Sequence, residues 1–173
     1  MRERLIHSGR VKTTAFLTIL VLAVLSGGCR QPDGVTPPLD EQGMNRISDL
    51  SRDLQSIARG DAGAPRDFAD DLLVLVDSSD ARPAVEGFAG RLAEAVASAT
   101  LAAPAADQLA HTCWMVVGAT EMSDRQIRSL QAELRSQLAA AGIPQDRADA
   151  VVADVPMVQR AVTTRPRRWY EVL

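Results

Sequence analysis

The sequence predicts an all-α fold, a single compact bundle of five to six short helices. Three observations carry this. From about residue 40 onward, apolar side chains recur at spacings of three and four, the period of a helix face. Proline, glycine and small polar residues punctuate those stretches at intervals that suit short helices and short connections. No segment alternates apolar and polar side chains as a half-buried strand does. Leu72-Leu73-Val74-Leu75-Val76 is the one continuous apolar run short enough for a buried strand. Its flanks, Phe68-Ala69-Asp70-Asp71 and Ser78-Ser79-Asp80, favour a buried helix.

The first helix is expected over Glu41 to Arg59, with Met44, Ile47, Leu50, Leu54 and Ile57 on one face and Gly60 as its stop. The second starts at Pro65, whose fixed φ suits the first helical turn, and runs to Asp77. The third starts near Pro83 and repeats Val85, Phe88, Leu92, Val96 and Ala99. The fourth starts near Pro104, carries Leu109, Cys113, Val116 and Val117, and stops at Gly118. In the fifth, Ser123 and Gln126 form a capping box, each side chain satisfying an otherwise orphan amide, and Met122 and Ile127 form a hydrophobic staple. Ile127, Leu130, Leu134 and Leu138 then face inward, and Gly142-Ile143-Pro144 ends the helix. The sixth spans Gln145 to Thr163, with Val151, Val155, Val158 and Val162 on one face. Pro156 lies inside it, removes one backbone hydrogen bond and must kink or split it. The short connections imply an arrangement that is up-and-down in part.

The N-terminal stretch is of another kind. Arg2, Arg4, Arg10 and Lys12 precede a charge-free apolar segment, Thr13 to Gly28, which closes on Leu25-Ser26-Gly27-Gly28-Cys29. This resembles the signal peptide and lipobox of bacterial lipoproteins, with Ser26 where Leu is more usual and Leu25 one residue further out. An uncleaved membrane anchor needs about 20 apolar residues, and the run here is shorter. The resemblance implies cleavage before Cys29, a diacylglycerol on its thiol, an acyl chain on its new amine, and two or three chains that together hold the protein stably in a membrane. Residues 1–28 are then a signal peptide, 29–39 the lipidated cysteine and a flexible tether containing Pro32, Gly34, Pro37 and Pro38, 40–164 the helical domain and 165–173 a tail. Arg30 follows the cysteine. The absence there of the Asp that marks inner-membrane retention in many enterobacterial lipoproteins implies an outer-membrane location facing the periplasm, if the host has two membranes.

Composition narrows the chemistry. The whole chain carries a formal charge of −3, and losing four bases and one acid with the signal peptide leaves −6. An acidic, exported domain makes a poor nucleic-acid binder. Lys12 is the chain's sole lysine, so the mature domain has none for a phosphate-binding loop, a Schiff base or a Ser-Lys dyad. It retains one histidine, His111, and one cysteine besides Cys29, Cys113. One chain therefore cannot assemble a usual His/Cys zinc site, and no metal or cofactor is expected. His111 and Cys113 stand two apart on a helix and do not face each other, which makes Cys113 a core thiol. Asp70-Asp71 and Asp77 with Asp80 read as helix-end charges rather than a catalytic dyad.

The tail is the candidate site. Arg165, Arg167, Arg168, Trp169 and Tyr170 are of the residue types most enriched at binding hot spots, and they crowd into a segment unlike anything before it. They would contact a protein partner or the lipid headgroup region, where Arg and aromatic side chains are both comfortable. A second reading has Trp169, Tyr170, Val172 and Leu173 folding back over an open side of the bundle. The expectation is a non-enzymatic, membrane-anchored lipoprotein of the cell envelope, an adaptor or accessory subunit. Met122-Ser123-Asp124-Arg125-Gln126 resembles the Leu-Thr-x-x-Gln motif of Spy-type periplasmic chaperones, with Met and Ser in place of Leu and Thr. That resemblance implies the alternative of a chaperone or an envelope-stress or metal-response protein. An envelope hydrolase would require a carboxylate-lined cleft.

Overall fold

The computed structural model describes residue 37 and residues 39–163. The chain divides into two units, Met1–Pro32 and Asp33–Leu173, and every described residue belongs to the second. The described residues form six helices and no strand: α1 (Glu41–Arg59), α2 (Ala64–Leu73), α3 (Arg82–Val96), α4 (Ala103–Gly118), α5 (Asp124–Ala140) and α6 (Gln145–Thr163). The expected all-α bundle is what the chain forms.

Local chemistry sets the ends. Asp40 caps α1 by accepting from the Gly43 amide at 2.8 Å, and Gly60 closes it with bonds back to the last turn. α2, α3 and α4 each carry proline in the first two positions, where a missing N–H leaves nothing unpaired. The capping box of α5 is present in both directions, through Ser123 and Gln126. Beyond α5, Gly142 has φ +75°, a left-handed conformation that suits glycine. It lets the Ile143 amide reach back to Leu138 O at 3.0 Å, so an orphan carbonyl is satisfied.

The helices pack in a closed circuit. α1 lies on α2, α2 on α3, α3 on α6, α6 on α5, α5 on α4, and α4 returns to α1. Phe68 and Phe88 sit fully buried with Leu50, Leu54, Leu72, Leu92, Leu109, Leu134 and Leu138. Each such side chain stabilises by about 1.5–3 kcal/mol relative to exposure. Ala89, Ala93, Ala106, Ala110 and Ala148 lie buried among them and keep the backbones close.

Two details differ from the sequence reading. Met44 is 59 % exposed. The buried stripe of α1 runs through Gly43, Leu50, Leu54 and Ile57, and Met44 stands one residue, about 100°, off it. α2 ends at Leu73, not Asp77. Its last turn tightens through Leu75 N–H to Leu72 O and Val76 N–H to Leu73 O, so Leu72, Leu73 and Val76 are buried while Val74 turns outward. Gly118 ends α4, as the sequence leads one to expect. Its bare Cα admits Pro37, whose Cγ would lie 2.9 Å from a Cβ at that position. Of the two outcomes left open at Pro156, a kink or a split, the split does not occur, and α6 is one helix.

Proline's missing N–H at position 156 frees the carbonyl of Val152, four residues earlier. Gln131 of α5 donates its side-chain amide to that oxygen at 3.2 Å. A neighbouring helix thus supplies the bond that proline removes, and α6 continues to Thr163.

Candidate functional site

The nominated residues, Cys29 and Arg165, Arg167, Arg168, Trp169 and Tyr170, lie outside the described residues, as does the tether before Pro37. What the structure describes is the place of its own two ends, Pro37 and Thr163. It is a single corner, between α4 and α5. Pro37 packs on Gly118. Three residues on, the Glu121 amide donates to Thr163 Oγ1 at 3.1 Å and ties the end of α6 to the same turn. Glu121 takes φ +59°, the only non-glycine residue in that region among those described.

Gln159 holds the corner from inside. It is 2 % exposed, and its amide donates to Val116 O at 2.6 Å and Ala119 O at 3.0 Å. Val116 is in the last turn of α4, where carbonyls have no intrahelical partner. Its own Oε1 is buried without a hydrogen-bond partner. Beside it, α5 and α6 leave a groove of about 420 Å³ lined by Met122, Ile127, Pro156 and Gln159, with Asp124 and Arg128 among the charged side chains. The segment Met122–Gln126, singled out in the sequence, is the capped start of α5 and borders this groove.

The other candidates separate. His111 is exposed and Cys113 fully buried, so they point apart. Burial pushes the Cys113 thiol well above its ordinary range. His111 shares a recess with Asp107 and Glu133. Among the described residues, however, no three His, Cys, Asp or Glu side chains are placed to hold a metal ion. No described helix is long and apolar enough to cross a membrane.

Sequence reasoning missed Asp53. Its Oδ2 is buried between α1 and α2 without a hydrogen-bond partner. Burial first, then the charges of Asp71, Asp67 and Asp49, push its pKa from 3.8 up to about 6, against the pull of Arg52. Asp71 is raised as well, by burial and then by Asp49, with Arg46 opposing. Asp70, its sequence neighbour, stands 3.7 Å from Arg66 on the surface. Three recesses, between α5 and α6, α3 and α6, and α4 and α5, are lined by other residues. A spacing signal existed, since Asp49 and Asp53 are like charges at i, i+4. The α2 carboxylates join them only once α1 and α2 pack.

Comparison with models of known families, with curated proteins and with solved structures finds no match to this chain.

Proposed function

We propose that this protein is a non-enzymatic lipoprotein of the cell envelope, anchored through acyl chains on Cys29, whose helical domain acts as an adaptor or accessory subunit. Arg165, Arg167, Arg168, Trp169 and Tyr170 contact the partner protein. The observation that carries the reading is Leu25-Ser26-Gly27-Gly28-Cys29 closing a charge-free apolar run behind a basic N-terminus. The thin inventory of catalytic groups in the mature chain and the unlike composition of the tail support the rest. Arg30 favours the outer membrane, facing the periplasm, in a host with two.

The test has two arms. Mass spectrometry of the purified protein should find a mature chain beginning at acylated Cys29, and Cys29→Ala should leave the membrane fraction. A photo-crosslinking residue at position 169 should then capture one discrete partner in cells, where the same probe at exposed Ser48 does not. An unprocessed N-terminus overturns the anchor. Equal capture from both positions overturns the tail as the contact.

A further inference from the structure

We propose that the groove between α5 and α6 binds the carboxyl-terminal residue of a peptide whose last side chain is apolar. The terminal amide N–H donates to Gln159 Oε1, the side chain lies on Met122, Ile127 and Pro156, and the carboxylate meets Arg128. The inference rests on neither the anchor nor the tail.

A buried acceptor carries the argument. Gln159 lines the groove and is 2 % exposed. Its amide nitrogen donates to Val116 O at 2.6 Å and to Ala119 O at 3.0 Å, which uses both of its N–H bonds. Its Oε1 is buried with no hydrogen-bond partner. The amide cannot turn over to find a donor without stranding two backbone carbonyls. Buried polar atoms are ordinarily paired, and leaving one unpaired is costly. An N–H brought in by a ligand supplies the missing partner. The oxygen is closed to water, so the donor reaches it as the walls part, and Met122, an unbranched and adaptable side chain, is one of those walls.

The remaining walls define the rest of the ligand. Met122 and Ile127 face Pro156 across a space of about 420 Å³, the size of a small-ligand site. Gln131 donates to Val152 O at 3.2 Å and ties the two sides together. At the rim, Arg128 and Arg160 stand against the single acid Asp124. Elsewhere the balance is reversed, since residues 39–163 hold eleven arginines against nineteen carboxylates. An anion is therefore repelled by the domain as a whole and drawn to this rim. Arg128 is exposed and makes no hydrogen bond or ion pair with a described residue, so its fork of donors is open to a carboxylate. A donor N–H, an apolar side chain and a carboxylate on one carbon are together the end of a peptide chain.

The experiment uses the full chain, isotopically labelled, and the probe acetyl-Ala-Ala-Leu with a free carboxyl end. Titration followed by amide NMR should show saturable binding, with shifts concentrated at residues 122–131 and 156–163. The carboxamide form of the probe should bind several-fold more weakly. So should a probe ending in glycine in place of leucine. Methylating the leucine nitrogen should also weaken binding several-fold, whereas methylating the nitrogen of the preceding alanine should cost little. Arg128→Ala, a change at an exposed position, should abolish the preference for acid over carboxamide and keep the effect of methylation. No saturable binding below about 1 mM, or shifts centred elsewhere, overturns the proposal. So does equal binding of acid and carboxamide, or of the leucine and glycine probes. Equal effects of the two methylations overturn Gln159 as the acceptor, and a preference for the acid that survives in Arg128→Ala overturns Arg128 as the carboxylate's partner.

Discussion

Where α4, α5 and α6 meet, three backbone carbonyls, those of Val116, Ala119 and Val152, are met by two glutamine amides, Gln159 and Gln131. Where α1 meets α2, Asp53 and Asp71 are pressed together with Asp49 and Asp67, and Asp53 keeps a buried oxygen with no donor. The first meeting place satisfies its open backbone carbonyls, with Gln159 Oε1 the atom left over, and the second leaves its carboxylates in conflict. The satisfied end is the one at which Pro37 and Thr163, the two ends of the described chain, lie. A corner that fixes two chain ends must hold its backbone in one place, and hydrogen bonds from buried side chains do that. The α1–α2 face bears no such demand, and its repulsion persists as lost stability.

The largest expected effect comes from breaking the satisfied end. Gln159→Leu keeps the volume but leaves two buried carbonyls unpaired, each worth about 1–3 kcal/mol. Removing the partnerless Oε1 returns part of this, so the net loss should be about 3 kcal/mol in urea unfolding. Amide exchange at residues 118–121 should accelerate more than exchange in α2. Uniform acceleration through the molecule would mean that Gln159 supports the core in general rather than the corner.

Gln131 offers a sharper cut, because its role exists only through Pro156. Gln131→Met should lower stability by about 1–2 kcal/mol by stranding the Val152 carbonyl. In a Pro156→Ala background residue 156 regains its N–H, that carbonyl is paired within α6, and the same substitution should be nearly neutral. A double-mutant cycle reads the difference directly. Equal losses in both backgrounds would show that Gln131 acts by packing.

At the other end, relief rather than damage is expected. Because the folded state raises the Asp53 pKa to about 6, folding favours the protonated group. Its contribution is full below the ordinary value near 3.8 and is lost as pH rises through about 6. Asp53→Asn should therefore match the native chain near pH 4 and exceed it by about 1 kcal/mol near pH 7.5, the figure being reduced for solvent screening on the group's open side. A variant no more stable at either pH would show that water already relieves the carboxylate.

What could be read in the sequence follows the distance between partners. The capping box of α5 needs only Ser123 and Gln126, and it was legible to the residue. So were the bounds of α1, set by Asp40, Glu41 and Gly60. Gln131 and Gln159 look like ordinary surface glutamines in their own helices, and their carbonyl partners lie 21 residues away for the first and 40 and 43 for the second. Proline 156 announced a broken bond but not the side chain that mends it. Gly118 was legible as the end of α4 but not as the seat of Pro37, which reaches it only in the folded chain. The tail's composition stood out at once, whereas the corner that gathers Pro37 and Thr163 depends on where six helices finally lie.

The smallest effect tests how taut that corner is. Glu121 holds φ +59° with its side chain exposed, and an L-residue there is disfavoured by about 1–2 kcal/mol. Glycine removes that strain but gains freedom in the unfolded chain, which offsets about 0.4–1 kcal/mol of it. Glu121→Gly should thus stabilise by only about 0.5 kcal/mol while the bond from residue 121 N–H to Thr163 Oγ1 persists. Thr163→Val removes that bond, which is worth about 1 kcal/mol. If the strain is held in place by the bond, the gain from Glu121→Gly should vanish in the Thr163→Val background, because Glu121 can then relax by itself. If the gain survives, the turn is fixed by Gln159 and Pro37 alone, and α6 could end one turn earlier without moving the corner.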